Sequence, residues 1–358
     1  MPGMFADTLR SADMPGAMTG REAVHPIAIF LQDSSAWISF DIPAFKAEFW
    51  QNTFDGLAYG AIYALVAMGY TLVYGVLRLI NFAHSEVFVS GAYAVWFTLS
   101  RLGFGPSAPN LSAIALIGDI VVSALAAMAA SAVVAVLLER IAYRPLRRRN
   151  APPLAFLITA IGASFAIQYV YFIFVSQGNS EPSVTMFNPN PVFDVFGATI
   201  TDQQLIIFGA AIVLMILTDV FINRSRLGRG IRAVAQDPDT ATLMGVNKER
   251  VIMQTFFIGG ILAGAAALFY VMKVPSGVIF NGGFILGIQA FAAAVLGGIG
   301  NIRGALLGGL LLGVIGEYGS TLLGNAQWTE IVAFVVLVVI LMFRPTGILG
   351  ESLGKARA

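Results

Sequence analysis

The chain has 358 residues, of which 57% are hydrophobic and only 11% charged, with a mean hydropathy of +0.79; an average soluble domain carries about 25% charged residues. So few charges cannot cover a water-facing surface, which excludes an ordinary soluble protein and makes lipid the medium for most of the outside. A net charge of +1 excludes nucleic-acid binding driven by bulk charge, the absence of Cys removes disulfides and thiolate chemistry, and His25 and His84 are too few and too distant for a histidine-built metal centre.

Residues 1–53 form an amino-terminal extension carrying Asp7, Asp13, Glu22, Asp33, Asp41 and Glu48 against Arg10, Arg21 and Lys46. His25 and Pro26 interrupt its longest apolar run, so a cleaved secretory signal is not expected. Two readings stay open: a surface-lying amphipathic lead-in, or a start at a later Met such as Met4, Met14 or Met18. From there on, runs long enough to cross the hydrocarbon core, which takes roughly 20 apolar residues, fall at 56–77, 79–100, 111–138, 154–175, 204–222, 251–272, 285–299, 304–323 and 326–343. These nine runs predict an all-α polytopic membrane protein with eight to ten transmembrane helices. The run 79–100 holds His84 and Glu86, and the run 285–299 is only 15 residues long. Each reads either as a full crossing or as a broken, re-entrant helix, which is allowed where protein or a cavity buries the backbone.

Lys and Arg set the orientation. With nine alternating crossings, one side collects Arg78, five Arg in 139–150, five Arg and Lys248 in 223–250, Arg303 and three basic residues after Phe343, which is 16 of the 21. The loop 176–203 has none. The basic side is therefore expected to be cytoplasmic, with the tail 351–358 inside. Gly56 and Gly60, Gly260 and Gly264, Gly300, Gly304 and Gly308, and Gly309 and Gly313 recur at every fourth position, the spacing that lets helix backbones approach in lipid. In the uncharged, glycine-rich stretch 274–302 a second reading is compatible with the first: an unwound segment lining a solute route.

Catalytic motifs are missing. The stretch 350–356 has the wrong spacing for a phosphate-binding loop and lacks its Ser or Thr, and as Gly-x-Ser-x-Gly it has no His downstream. The acids inside the runs are Glu86, Asp119, Asp219, Glu317 and Glu330. A charge at mid-membrane costs about 2.5–3.5 kcal/mol on insertion scales, so each is a candidate functional group. Asp219 and Glu330 lie near run ends, Asp119 lies early in its run, and Glu317 sits among glycines at what reads as greater depth. Asn81, His84 and Ser85 follow helical i, i+3, i+4 spacing and with Glu86 would gather polar groups near the inner end of a span. That arrangement reads equally as a pore-facing gate and as a buried hydrogen-bond network locking the first hairpin.

The basic segment 223–250, NRSRLGRGIRAVAQDPDTATLMGVNKER, is the most informative. Asp237-Pro238-Asp239 is a helix-start signal, because Asp accepts free N–H groups and Pro fits the first turn. A short helix over 240–244 follows, with Gly245 as its stop. A helix of that kind outside the bilayer needs a partner to pack against; the blander reading is a solvated basic loop with one helical turn.

At these residues the chain resembles a known family: the permease subunits of ABC importers for branched-chain amino acids, of the LivH/LivM type and closer to LivH. The resemblance rests on GAIYAL from Gly60, GYTLVYG from Gly69, INFAHSE from Ile80, YRPL from Tyr143, FAAAVLGGIG from Phe291 and RPTG from Arg344. It covers a permease domain at 54–350. It implies one half of a membrane channel importing branched-chain or other small neutral amino acids: a transport subunit rather than an enzyme, with no cofactor of its own. ATP and Mg would be used by two partner ABC ATPases. Further implied partners are a second homologous permease, expected to pair as a heterodimer, and an external solute-binding protein, in a bacterial plasma or inner membrane. In ABC importers a loop resembling Glu-Ala-Ala-x-x-x-Gly docks into the ATPase; here Asp239, Thr240, Ala241 and Gly245 hold those places, with Asp for Glu and Thr for Ala. Asn81, His84, Glu86 and Glu317 are the candidate pore or gate residues. Ser85, where the family usually has Gly, and the long amino-terminal extension depart from the pattern. The alternatives are a urea or short-amide importer and, in a different class, an ion-coupled secondary transporter, which would need paired intramembrane charges and no docking helix.

Overall fold

The computed structural model describes residues 40–107, 109, 112–176, 184–274 and 279–350. Residues 1–39 of the extension, the near-miss motif beyond Gly350 and the tail 351–358 lie outside them. The described chain opens with α1 (Ile42–Ala47), whose cap Asp41 accepts the Ala44 N–H at 2.8 Å. Next come α2 (Phe49–Leu77), α3 (His84–Arg101) and α4 (Ala113–Leu138), the last passing through a π turn (Glu139–Tyr143) into α5 (Arg144–Arg148). Helix α6 (Pro153–Tyr171) ends in a second π turn (Phe172–Ser176). A small antiparallel hairpin, β1 (Pro191–Val195) and β2 (Ala198–Thr201), then leads into α7 (Asp202–Arg224). The order closes with α8 (Arg226–Gln236), α9 (Pro238–Leu243), α10 (Lys248–Lys273), α11 (Gly283–Gly297), α12 (Ile302–Leu322) and α13 (Trp328–Phe343).

Each of the nine apolar runs falls on a helix: α2, α3, α4, α6, α7, α10, α11, α12 and α13. Among the described residues six of these, α2, α4 with α5, α6, α7, α10 and α12, are long and apolar enough to cross a bilayer, while α11 and α13 are shorter apolar helices. Of the two runs left open between a full crossing and a broken helix, 79–100 is shortened and 285–299 keeps its 15 residues. The run 79–100 becomes the 18-residue α3, because the chain turns at Arg78, with φ of 52°, and resumes helix only at His84. Helix α11 has 15 residues and stops at Gly298, whose φ of 107° no L side chain adopts easily. Within 274–302 the described residues outside helix are 274, 279–282 and 298–301, while residues 275–278 lie outside the described set.

The bundle has a core and a rim. In α2 and in α10, 78% of the apolar stretch is buried, against 28% for α4, 17% for α6 and 28% for α7. The rim helices expose Val133 and Leu137, Ile158 and Phe165, and Val213 and Ile216. Such ladders of large apolar side chains suit acyl chains. Inside, the glycine spacings act as contact points. A Cβ on Gly56 would sit 2.6 Å from Val314 Cα and one on Gly60 2.8 Å from Leu310 Cα, so α2 and α12 cross backbone to backbone. A Cβ on Gly260 would lie 2.7 Å from Ala132 Cα, which gives α10 the same relation to α4. Since these neighbours are backbone, Gly60→Leu has to push α2 off α12. A loss of at least the 1–3 kcal/mol typical of overpacking is expected, read as a lowered thermal midpoint in detergent; an unchanged midpoint would contradict this close crossing.

Residues that alternation assigns to one face meet on that face. On the basic side Arg147 reaches Glu249 at 2.9 Å. There too Arg303 holds Asp219 through two bonds of 3.1 Å. On the other side Lys273 pairs with Asp55, and Gln204 donates to Asp55 at 2.8 Å. The chain therefore has two distinct polar ends.

Candidate functional site

The segment 223–250 is more structured than a basic loop with one helical turn. Leu227, Ile231 and Val234 follow i, i+4, i+7 spacing along RLGRGIRAVAQ and turn one face of α8 onto the bundle. Ser225 caps this helix by accepting the Gly228 N–H at 2.8 Å. Sequence reasoning missed α8 because glycines and four arginines between residues 224 and 232 resemble a solvated connector. The apolar spacing was the signal that could have found it.

Helix α9 begins two residues earlier than expected, at Pro238, and ends at the expected stop. Asp237 Oδ1 accepts the Asp239 and Thr240 N–H groups at 2.9 and 3.1 Å, and Thr240 Oγ1 donates to Asp237 Oδ2 at 2.6 Å. The Thr240 hydroxyl, helped by those amides, holds the Asp237 carboxyl below its ordinary range. At the other end Gly245 has φ of 85°, and Val246 N–H returns to Ala241 O at 3.0 Å, a left-handed stop of the kind glycine favours. A lowered carboxylate pKa means the cap is intact above the unfolded value of about 3.9 and weakens as pH falls through the lower folded one. Protection of the Thr240 amide against hydrogen exchange is thus expected to hold at pH 5 and to be lost in Asp237→Ala at any pH.

The four expected docking residues occupy one short element with different orientations. Ala241 is buried against the bundle, the Thr240 hydroxyl is used by Asp237, and the Asp239 side chain is 90% exposed beside Lys248. Two residues not singled out beforehand dominate the outward face: Leu243 is 87% exposed and Met244 80%. These two adjacent apolar side chains stand free on an otherwise polar segment and form its candidate contact surface.

Asn81, His84, Ser85 and Glu86 are all buried, at 3% exposure or less. They do not share a helical face as their spacing suggested, because α3 starts at His84 and Asn81 lies in the preceding turn. Asn81 O accepts the His84 N–H at 3.1 Å, while its Oδ1 accepts Ala83 N–H at 3.1 Å and the Tyr143 hydroxyl at 2.7 Å. Glu86 Oε1 accepts Ser85 at 3.2 Å, and from α6 it accepts Ser164 at 3.2 Å and Gln168 at 2.8 Å. His84 meets the Tyr70 ring edge-on, with centroids 4.8 Å apart. Through these bonds the cluster ties α2, α3, α6 and the π turn together. His84 Nε2 and Glu86 Oε2 have no protein partner among the described residues. Glu317 is not part of this group. It lies half-buried on α12 towards the opposite end, within electrostatic reach of Asp55 and Lys273.

A two-ended helical bundle with lipid-facing ladders and a capped helix projecting from one face defines a multi-pass membrane protein. The family model described as branched-chain amino acid transport system, permease component, matches residues 52–341, and the chain belongs to that family. The high-affinity branched-chain amino acid transport system permease protein BraD of Pseudomonas aeruginosa is 43% identical over 84% of this chain and 95% of its own length. The corresponding LivH permease of Escherichia coli strain K12 is 37% identical over 85% of the chain and 96% of its own length. A fructose import permease, FrcC of Rhizobium meliloti, is 30% identical but over only 36% of the chain. No solved structure matches. The chain is thus a transport component and not an enzyme.

Proposed function

We propose that this chain is one half of the translocation channel of an ATP-driven importer for branched-chain or other small neutral amino acids. An external solute-binding protein delivers the solute, two ATPases that use ATP and Mg supply the work, and a second homologous permease completes the channel as a heterodimer. The observation that carries this reading is α9: a helix capped at both ends, anchored by Ala241, and presenting Leu243 and Met244 outward. ATP-driven closure of the ATPase pair would move this helix as a rigid body. The movement would switch the route between outward and inward access. The basic end is the cytoplasmic one, following the arginine count, so the carboxy terminus lies inside.

Asn81, His84 and Glu86 serve as the inner gate in this scheme and Glu317 as an outer polar contact. The ion-coupled alternative needs a relay of paired charges through the membrane. Here Asp55–Lys273 and Asp219–Arg303 sit at opposite ends, and Glu86 is met by neutral donors.

Uptake of labelled leucine into vesicles containing the whole assembly, with unlabelled alanine, isoleucine and urea as competitors, tests the solute assignment. Isoleucine is expected to compete best and urea not at all. Competition by urea alone would replace the amino-acid reading with the amide one.

A further inference from the structure

We propose that Arg78 is the positioning residue that ties the docking helix α9 to the core helix α2, and so carries movement from the inner face into the bundle. This rests on the coupling reading above and adds to it the route inward. Arg78 ends α2 in a left-handed conformation, φ 52° and ψ 28°, with its N–H donating to Tyr74 O at 2.6 Å. Non-glycine residues adopt that conformation only where surroundings hold them there. At Arg78 the side chain adds a tertiary anchor to that backbone bond. Nη2 donates to Ala235 O at 2.9 Å and to Gln236 O at 2.7 Å. These are carbonyls of the last turn of α8, where unpaired acceptors and the helix dipole favour a cation.

The next residue, Asp237, is the cap of α9. One guanidinium therefore clamps the joint between the amphipathic anchor α8 and the exposed docking helix. The other end of the clamp is α2, whose apolar stretch is 78% buried and which crosses α12 through Gly56 and Gly60. The alternative route is covalent, through Gly245–Asn247 into α10, and that route passes the left-handed glycine at 245. The Arg78 bonds reach α2 directly across space, whereas the path into α10 runs along the chain through Gly245 and the exposed Asp239–Lys248 pair.

The test uses the complete complex of permeases, ATPases and solute-binding protein, with leucine as the transported probe. In Arg78→Ala, ATPase subunits are expected to co-purify as in the parent and ATP hydrolysis to persist, while leucine uptake per ATP falls about tenfold, within the 5–150-fold span of ordinary coupling. Arg78→Lys, whose single nitrogen can still donate to both carbonyls, is expected to restore much of the loss. Arg78→Gln replaces the alanine variant under the same criteria if the latter does not accumulate. Unchanged uptake per ATP overturns the proposal. So does a joint loss of hydrolysis and ATPase binding, which would make Arg78 a shaper of the docking site and not a transmitter. The docking reading has its own separate failure: ATPases that bind undiminished when Leu243 and Met244 are both replaced by Glu.

Discussion

Replacing Leu243 and Met244 together by Glu is expected to detach the ATPase subunits and lower leucine uptake by about 100-fold, while the permease itself stays folded. Both side chains are almost fully exposed in the isolated chain, 87% and 80%, so two carboxylates there disturb no packing. The helix keeps its cap at Asp237 and its stop at Gly245. The effect falls on the interface alone, where burying an unpaired charge in place of an apolar anchor removes about 3 kcal/mol, the scale of a hot spot. Gly245→Ala makes the informative contrast. Open space surrounds that position, so the substitution meets only the left-handed backbone, worth about 1–2 kcal/mol, and its effect on uptake should be much smaller. Size-exclusion profiles with the ATPases present give the reading; co-elution of the doubly charged variant with undiminished ATPase would remove the basis for calling α9 a docking helix.

The largest effect on stability is expected from Arg147→Met. Glu139 is 1% exposed, within the π turn, and its Oε1 accepts Arg147 Nη2 at 2.6 Å. The same nitrogen reaches Glu249 Oε2 at 2.9 Å, at the start of α10. Glu249 has Arg144 as a second neighbour, at 3.2 Å, so it survives the loss of Arg147. Glu139 has no such reserve, since its Oε2 is without a partner among the described residues. Stripping one member from a buried pair costs about 3–5 kcal/mol because the other charge is left uncompensated. The single variant should therefore melt far below the parent in detergent, and adding Glu139→Gln should return a large part of the difference. Equal losses in the single and double variants would mean that an uncompensated Glu139 is not the cause of the loss.

How much of this was legible beforehand differs from element to element. The apolar runs announced nine helices, and the arginine count separated two faces that the ion pairs Asp219–Arg303 and Asp55–Lys273 then respect. Asp237 and Gly245 announced the ends of α9 through local chemistry alone. Helix α8 escaped because its period was hidden by charge and glycine, and the outward pair Leu243 and Met244 because exposure is a property of the packed chain. The face predicted for Asn81 and His84 failed for a comparable reason: i, i+3 spacing presupposes a continuous helix, and the chain resumes helix only at His84.

By itself the sequence determined the solvent of this protein, the rough bounds of its nine apolar helices, and the chemistry at the ends of α9. These follow from transfer of side chains into lipid and from backbone groups within a few residues of one another, so neighbours along the chain suffice to specify them. Tertiary structure decided which helices lie inside. The apolar α4, α6 and α7 face outward, whereas glycine-bearing α2 and α10 lie at the centre. Lipid and protein interior are equally welcoming to an apolar side chain, so hydrophobicity cannot choose between rim and core. That choice belongs to shape: the bare surfaces of Gly56, Gly60, Gly260 and Gly264, which only a partner backbone at the right crossing can fill.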